Sequence, residues 1–377
     1  MSTEMQQGQP SHVPLSFLDL VPVVAGSTVH DAIENSVRTV QVAEQAGFHR
    51  YWVAEHHNTL NIASSATTVL MGRFAQATSK IRIGSDGIML PNHAPLRVAE
   101  DIGTLATMYP DRIDLGLGRA PGTDPRTAAE LRRGASDVSD FADDISQLQR
   151  YLADPEKLDK LEGLDDGTST TMAETHNLFA GAGSLSGSPG MRGRIVAFPG
   201  QGTEVPMYVL GSSGGGATVA AMLGLPFAFA SHFAPFQLEH AINLYRKHFD
   251  ASAPTAQISE PKVMVAVNAM AAETTEQAEF EFSVVQQMFL RLGRGGSRKP
   301  LPEPTTTPQA GASPAEWQRV QASLGVRAVG TPDEVVADLE NVVAATGADE
   351  LILTTYAHDP EVRNRSIELI GQAWKTS

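Results

Sequence analysis

The feature that most constrains this chain is a regular alternation of short apolar runs with helical patterns. Several runs are continuously apolar, which is typical of parallel strands covered by helices. Eight such units predict an α/β fold, a closed (β/α)₈ TIM barrel, with an open doubly wound sheet as the alternative. The candidate strands are Leu15 to Val23, Arg50 to Ala54, Ile81 to Leu90, Arg112 to Leu117, Pro206 to Leu210, Phe227 to Ala230, Lys262 to Met270 and Glu350 to Thr355.

Local signals predict where several helices begin and end. Thr28 is placed to cap a helix that Gly47 ends. Thr331 and Glu334 form a capping box with proline between them, and Asp359 precedes a proline in the same way before the last helix. These signals support alternating strands and helices up to the C-terminus.

We predict a single barrel domain over residues 14–377, after a disordered tail at residues 1–13. The tail has neither a basic start nor an apolar stretch, so we do not expect a signal peptide. Two connections are too long for plain crossovers, at about 120–204 and 291–327, after the fourth and seventh strands. In a barrel both insertions lie at the C-terminal face, where active sites are built.

Charge and cysteine content exclude several classes of function. The net charge of −15 disfavours non-specific binding to nucleic acid or to an anionic membrane. The chain contains no cysteine, which excludes disulfides, thiolate metal sites and cysteine nucleophiles and favours a reducing, cytoplasmic location. We therefore expect a protein of the cytoplasm whose anionic ligands, if any, bind at a local site.

Glu55, His56 and His57 follow the second strand directly. Histidine titrates near neutrality, so it can hold or transfer a proton, and an adjacent carboxylate can tune it. A solvated loop or helix cap is the structural alternative. Adjacent side chains of an extended segment point to opposite faces, and the chain lacks an HExxH pattern, so we predict no metal here.

Asp86 and Gly87 interrupt the third strand, and Arg119 follows the fourth. A glycine inside a strand marks either an ordinary barrel irregularity or a place where a ligand approaches the backbone. A guanidinium at a strand end suits a phosphate, with a surface ion pair as the alternative. The nearby GLG lacks the third glycine of a dinucleotide fingerprint.

A serine and glycine turn follows the fifth strand, formed by Ser212, Ser213, Gly214, Gly215 and Gly216. Free backbone N–H groups, two hydroxyls and the positive end of a helix dipole predict an anion pocket, with a tight helix start as the alternative. The chain has no GxxxxGK[ST] pattern, so nucleoside triphosphate hydrolysis has no support.

Four motifs in order resemble those of the bacterial-luciferase-like flavin monooxygenases, in particular a bacterial branch with GRAPGTD and LGSS. They are EHH, GSDGIMLPNHAPLRVAED, RIDLGLGRAPGTDP and LGSSGGGATVAAMLGLPFAFASHFAP. The resemblance implies a barrel that binds reduced FMN (FMNH₂), supplied by a separate flavin reductase, and uses O₂ to oxidise a small, aldehyde-like organic substrate. The deazaflavin F420 as hydride carrier and a flavin-binding protein without turnover remain alternatives.

The resemblance also implies roles for single residues. His56 corresponds to the catalytic histidine, with Glu55 supporting it. Asp86 and Gly87 correspond to a non-prolyl cis peptide beneath the flavin ring. Arg119 corresponds to the arginine that binds the flavin phosphate, and 213–216 to the cradle around it.

Three further expectations follow from the same resemblance. A homodimer is implied, packed through the early barrel helices, where residues 63–77 are rich in small side chains. A basic segment is hypothesised to close over the anionic flavin, with a solvated loop as the alternative; its residues are Arg291, Arg294, Arg298 and Lys299. Gly118 stands where luciferase has a reactive cysteine, so light emission is not implied. The sequence leaves the substrate unidentified.

Overall fold

The computed structural model describes residues 12–120, 122–131, 141–155, 195–295 and 299–377. Its strands are β1 (Leu15–Asp19), β2 (Arg50–Val53), β3 (Arg82–Ser85), β4 (Ile88–Met89), β5 (Ile113–Gly118), β6 (Met207–Gly211), β7 (Phe227–Phe229), β8 (Val263–Ala271), β9 (Arg327–Gly330) and β10 (Glu350–Thr354). Its helices are α1 (Val29–Ala46), α2 (Thr67–Ala77), α3 (Pro95–Met108), α4 (Pro125–Leu131), α5 (Phe141–Leu152), α6 (Gly214–Leu223), α7 (Leu238–His248), α8 (Thr275–Gly293), α9 (Pro314–Ser323), α10 (Pro332–Thr346) and α11 (Pro360–Thr376).

The sheet closes on itself. All strand pairs are parallel, and β10 pairs both with β1, through Leu15 and Leu351, and with β8, through Met264 and Glu350. The eight predicted strands form the closed circuit β1, β2, β3, β5, β6, β7, β8 and β10. The predicted TIM barrel is confirmed, and the open sheet is excluded.

Two short strands refine that prediction. The predicted third strand is broken at Asp86 and Gly87 into β3 and β4, and β4 pairs with the end of β5. β9 was not predicted, because four residues directly before a helix cap carry too little periodicity to read as a strand. It pairs with the end of β8 and lies outside the closed circuit.

The predicted helix signals are confirmed where the structure describes them. Thr28 and Thr331 each form a capping box, and Gly47 ends α1 with a φ of 84°. Asp359 accepts a hydrogen bond at the start of α11. Within the first insertion the structure describes α5, from Phe141 to Leu152. Among the described helices, none combines the length and apolarity that crossing a membrane requires.

The predicted tail lies mostly outside the described residues. Its last two residues, His12 and Val13, are described and contact the C-terminal helices. His12 lies 2.9 Å from a carboxylate oxygen of Glu340 on α10. The Trp374 indole of α11 donates a hydrogen bond to the Val13 carbonyl at 2.9 Å.

Alternate residues of each strand serve two apolar layers. Phe17 and Tyr51 pack with Phe74 in the layer between barrel and helices. Their neighbours Leu18 and Trp52 belong to the other cluster, which fills the barrel interior. This is the period of two that a strand imposes on its side chains.

The N-terminal end of the barrel is closed by buried charges. Arg50 contacts Glu350 at 2.9 Å and Asp114 at 2.5 Å. Arg82 contacts Asp114 at 2.6 Å, and Lys262 contacts Glu350 at 3.0 Å. These residues lie at or near the first residues of their strands, so the opposite, C-terminal end is left for a ligand.

Candidate active site

A cavity of about 970 Å³ lies at the C-terminal mouth of the barrel. Predicted site residues that line it are His56, Asp86, Gly87, Arg119, Ser212, Ser213 and Gly216. Gly214 and Gly215 lie in the first turn of α6, and the buried Glu55 lies outside the lining. The fold therefore brings predicted residues from the loops after four different strands, β2, β3, β5 and β6, to one cavity.

One end of the cavity gathers donors for an anion. A side-chain carbon at Gly215 would lie 2.6 to 2.9 Å from the guanidinium of Arg119, so glycine is what lets this cation rest on the first turn of α6. Ser213 is the N-cap residue of α6, yet its side chain makes no capping hydrogen bond. The Gly214 N–H is donated to Oε1 of Gln237 at 3.3 Å, which leaves the Ser213 hydroxyl and the N–H groups of Gly215 and Gly216 beside the guanidinium, an arrangement that binds anions.

Glu55 is the centre of a hydrogen-bonded cluster beside the cavity. Its Oε1 accepts hydrogen bonds from Nε2 of His57 and Nε2 of His93, both at 2.8 Å, and Oε2 accepts from the Met89 N–H at 3.1 Å. Burial alone would raise the pKa of Glu55, but the hydrogen bonds from the two histidines and Met89 lower it to about 2. The side chain is thus a carboxylate at neutral pH.

The same cluster differs from the sequence-based expectation for a metal. The ligand atoms of Glu55, His57 and His93 lie within 4.8 Å of one another, a spacing compatible with a metal ion. The sequence argument considered only adjacent residues. His93 lies in the loop before α3. It is far from Glu55 in the sequence, so no local pattern indicated that the two side chains are in contact.

His56 lies in the cavity wall with a defined hydrogen-bonding state. Its Nδ1 lies 2.5 Å from the Glu55 carbonyl oxygen, which only an N–H can satisfy, so Nε2 carries the lone pair of the neutral ring. Burial lowers the pKa of His56 and keeps it neutral. Glu55 contacts His56 through its carbonyl, whereas its carboxylate holds His57 and His93.

The break between β3 and β4 places Asp86 and Gly87 in the cavity wall. The peptide bond between them is cis, as the resemblance implied. A side-chain carbon at Gly87 would lie 2.9 Å from the backbone of Gly116 and Leu117 in β5, so only glycine fits. Burial raises the pKa of Asp86 to about 7.

His232 is a cavity residue that the sequence reasoning missed. It follows β7 and is 7% exposed, and its Nδ1 has no hydrogen-bond partner among the described residues. Burial and the nearby His56 lower its pKa to about 3, so it is neutral. The sequence signal that could have identified it is its position shortly after a barrel strand, in ASHFAP, where side chains face the C-terminal mouth.

The predicted basic segment is only partly free to meet a ligand. Arg294 contacts both carboxylate oxygens of Glu316, at 2.7 and 3.1 Å, and Arg291 donates to the Pro300 carbonyl at 3.3 Å. Arg291, Arg294 and Lys299 line the cavity, whereas Arg298 lies outside the described residues.

Fold and site together define a class: a parallel-barrel protein with an anion site at one end of its cavity and buried, proton-handling side chains along the wall. A model of the luciferase-like monooxygenase family matches residues 15–350, so the chain belongs to that family. Membership places it among the oxidoreductases, in a family of monooxygenases.

Two relatives match over nearly the whole chain. A luciferase-like monooxygenase of Escherichia coli (strain K12) is 40% identical, over 95% of this chain and 96% of its own length. An N-acetyl-S-alkylcysteine monooxygenase of Bacillus subtilis (strain 168) is 30% identical, over 96% of this chain and 98% of its own length.

Solved structures show the same fold. The apo form of MsnO8 matches with a TM-score of 0.75 and 32% identity, over 97% of this chain and 99% of its own. The oxygenating constituent of 3,6-diketocamphane monooxygenase from Pseudomonas putida, in complex with FMN, gives 0.63 at 16% identity, over 96% and 97%. An F420-dependent secondary alcohol dehydrogenase gives 0.62 at 16%, over 96% and 98%.

Proposed function

We propose that the protein is a flavin-dependent monooxygenase that uses reduced FMN and O₂ to oxidise a small organic substrate. The observation that carries this proposal is the contact of the Arg119 guanidinium with the first turn of α6 at Gly215, beside the unused hydroxyl of Ser213. A guanidinium beside a helix N-terminus has the chemistry of a phosphate site. FMN is the ligand of one structural neighbour, the oxygenating constituent of 3,6-diketocamphane monooxygenase.

The residues present fit a flavin mononucleotide. The cavity volume of about 970 Å³ lies at the upper end of the range of about 300 to 1,000 Å³ found for small-molecule sites. Next to the anion end, Gly118 and Gly87 leave the wall without side chains, which suits a flat ring. At Gly118 a side-chain carbon would lie 2.7 Å from Sδ of Met89, so a larger residue here would displace the Met89 side chain.

Each residue has a separate task in this proposal. Arg119, with the hydroxyls of Ser212 and Ser213 and the N–H groups of Gly215 and Gly216, holds the phosphate and fixes the orientation of the bound molecule, while Gly214 forms the start of the helix. Gly87 supports the ring. His56 presents Nε2 as a proton acceptor at the reacting centre, and Glu55 fixes His57 and His93 beside it. When bound, the reduced flavin supplies the electrons that activate O₂.

The proposal is tested by titrating the purified protein with FMN, FMNH₂ and F420 while absorbance and fluorescence are followed. We expect the FMN forms to bind and Arg119→Ala to weaken binding by about 10- to 100-fold, the value of a charge-assisted hydrogen-bond pair. An Arg119→Ala variant with unchanged affinity would contradict the phosphate site. Binding of F420 alone would instead favour hydride transfer.

A substrate panel separates an enzyme from a flavin carrier. Because one relative is named for N-acetyl-S-alkylcysteines, the panel contains thioethers of that kind beside aldehydes and sulfonates. Product formation with FMNH₂ and O₂ supports a monooxygenase. Flavin binding without any product, and without slower reoxidation of the flavin, would favour a protein that only stores flavin.

Partners and location complete the proposal. A separate reductase supplies the reduced flavin, and the absence of cysteine favours the reducing cytoplasm. The protein pairs with a second copy through α2 and α3, where Val69 is 71% and Met108 58% exposed.

A further inference from the structure

Asp86 is half-buried in the cavity wall and has no charged partner among the described residues, whereas the four most deeply buried carboxylates of that part of the chain each have one. Asp19 is paired with Arg363 at 2.6 Å and Glu55 with His57 at 2.8 Å. Asp114 and Glu350 are paired with Arg50 at 2.5 and 2.9 Å. These pairs follow the general rule that a buried charge is retained only with a partner.

The surroundings of Asp86 offer its carboxyl neither a cation nor a donor among the described residues. Its backbone N–H is held by the Val53 carbonyl at 2.9 Å. Burial alone changes its pKa, so no charged group contributes. The same cavity wall contains Leu18, Leu20 and Tyr356. Among the described residues, Tyr356 has a pKa that is raised by burial and, to a smaller extent, by the charge of Asp86.

The other titratable groups of the neighbouring elements are neutral or already paired. His56, after β2, and His232, after β7, are both kept neutral by burial. At the end of β1, Asp19 is neutralised by Arg363 of α11. An ionised Asp86 therefore stands in an apolar wall with only the cavity before it.

We propose that the Asp86 carboxyl binds the flavin in its protonated form, by donating a hydrogen bond to an acceptor atom at the ring end. This inference rests on the proposed function. Arg119, Gly118, Gly87 and Asp86 all line this one cavity, so a ligand anchored at Arg119 can extend within it towards Asp86. A neutral carboxyl is a donor, whereas a carboxylate only accepts and repels the carbonyl oxygens and ring nitrogens of a flavin.

The sign of the pH dependence follows from this assignment. Because burial raises the pKa of Asp86 to about 7, the free protein loses the donor as the pH rises through neutrality. Flavin binding then requires the proton to be restored, so affinity falls above that pH and binding takes up a proton from solution. Below it, affinity is independent of this group.

The test measures binding and proton uptake, with no turnover involved. FMN and riboflavin are titrated between about pH 6 and pH 9, and calorimetry in two buffers of different ionisation enthalpy counts the protons taken up. Riboflavin has no phosphate, so its pH profile reports the ring end alone. We expect the affinity of the unsubstituted protein to fall up to about tenfold per pH unit above the midpoint, with uptake approaching about one proton.

Asp86→Asn keeps a donor that does not titrate, so it is expected to bind with the same affinity across the range and to take up no proton. Asp86→Glu keeps a titratable group, and we expect a displaced midpoint. Asp124→Asn is the matched control: Asp124 also lines the cavity, but hydrogen bonds from Thr127 and Asn58 hold its pKa low, so the pH profile is retained.

The outcomes separate the two proposals. Tight FMN binding that is independent of pH, or Asp86→Asn with the pH profile of the unsubstituted protein, overturns the role of Asp86 and leaves the proposed function standing. Failure of FMN and riboflavin to bind at any pH overturns the proposed function itself. Loss of pH dependence in Asp86→Asn with retention in Asp124→Asn supports the assignment.

Discussion

At the scale of single residues, His56 is the side chain whose chemical state the structure defines most closely. Its Nδ1–H is occupied by the Glu55 carbonyl at 2.5 Å, and burial keeps the ring neutral. Only Nε2 remains as an acceptor for a proton. This state suits a group that takes a proton from the reacting centre and does not hold the cofactor.

We therefore expect His56→Ala to lower turnover by about 10² to 10⁴-fold, the usual contribution of a general acid or base, while FMN affinity changes little. Single-turnover kinetics with FMNH₂ and O₂, together with FMN titration, separate the two effects. His30→Ala serves as the control, because His30 is exposed and remote from the lining residues. Equal losses in affinity and turnover would argue that His56 holds the ligand.

Glu55 gives a prediction for stability against pH. Its folded pKa of about 2 lies below the ordinary value of 4.5, so its contribution is present above pH 4.5 and is lost as the pH falls towards 2. We expect Glu55→Gln to lower the free energy of unfolding by about 3 kcal/mol at pH 7, with a smaller difference at each step below pH 4.5. Urea titrations at a series of pH values measure this. A difference that stays constant down to pH 2 would show that the carboxylate charge is not involved.

At the scale of elements, the proposed anion site depends on how α6 begins after the glycine-rich turn. Gly215 lets the Arg119 guanidinium lie against the helix, and Gly211 and Gly216 let the helix begin close to the end of β6. This element could be predicted from the sequence because its serines and glycines are consecutive; only Arg119 comes from a distant segment.

Gly215→Ala tests that geometry without removing any polar group. The added carbon would lie 2.6 Å from Arg119, so the guanidinium must move, and we expect FMN affinity to fall on the order of tenfold. Alanine favours a helix by about 0.5 to 1 kcal/mol over glycine, so the melting temperature is not expected to fall. Gly72→Ala in α2, where the nearest atom is 3.4 Å away, is the matched control. Unchanged affinity in Gly215→Ala would mean that Arg119 does not need this position.

The sequence was less informative where contacts join distant segments. The strands, the helix caps and the glycine turn are local patterns, and each was predicted. His93 and His232 were not assigned to the site, because their neighbours, Glu55 and His56, are far away in the sequence. These side chains meet because the strands that precede them lie side by side or face each other in the barrel. No periodicity or motif spacing in a single sequence predicts such a contact. The same holds for the partner of Arg294, Glu316.

At the scale of the whole molecule, the ion network at the base holds strands from opposite halves of the barrel. Asp114 accepts from Arg50, Arg82 and the Trp52 indole. We expect Asp114→Ala to cost about 3 to 5 kcal/mol, because it breaks a buried ion network, leaving Arg50 with Glu350 as its one carboxylate partner among the described residues and Arg82 with none. Urea unfolding measures the loss.

Asp101→Ala is the matched control for that loss. Asp101 makes the same kind of contact with Arg97, at the same 2.6 Å, but on the surface of α3. An exposed pair contributes no more than about 1 kcal/mol. Equal effects of the two substitutions would show that burial of the network at the base does not matter.

Assembly is the second property at this scale. If α2 and α3 form the contact between two copies, Val69→Glu places a charge in it and is expected to give monomers in size-exclusion chromatography with light scattering. Val29→Glu, at an equally accessible apolar position of α1 with 56% exposure, should leave the mass unchanged. A monomeric unsubstituted protein would refute the proposed dimer.

The cavity described above has walls of two origins, and this has an evolutionary consequence. Arg119 and the start of α6 belong to the barrel itself, whereas Met288 and Leu292 come from the end of α8 and Arg319 comes from α9, which lies within the second insertion. Mutations in this second wall can reshape the space offered to a new substrate while the proposed phosphate site is inherited unchanged. A lineage built on this plan is free to diversify its substrates without first altering the proposed cofactor site.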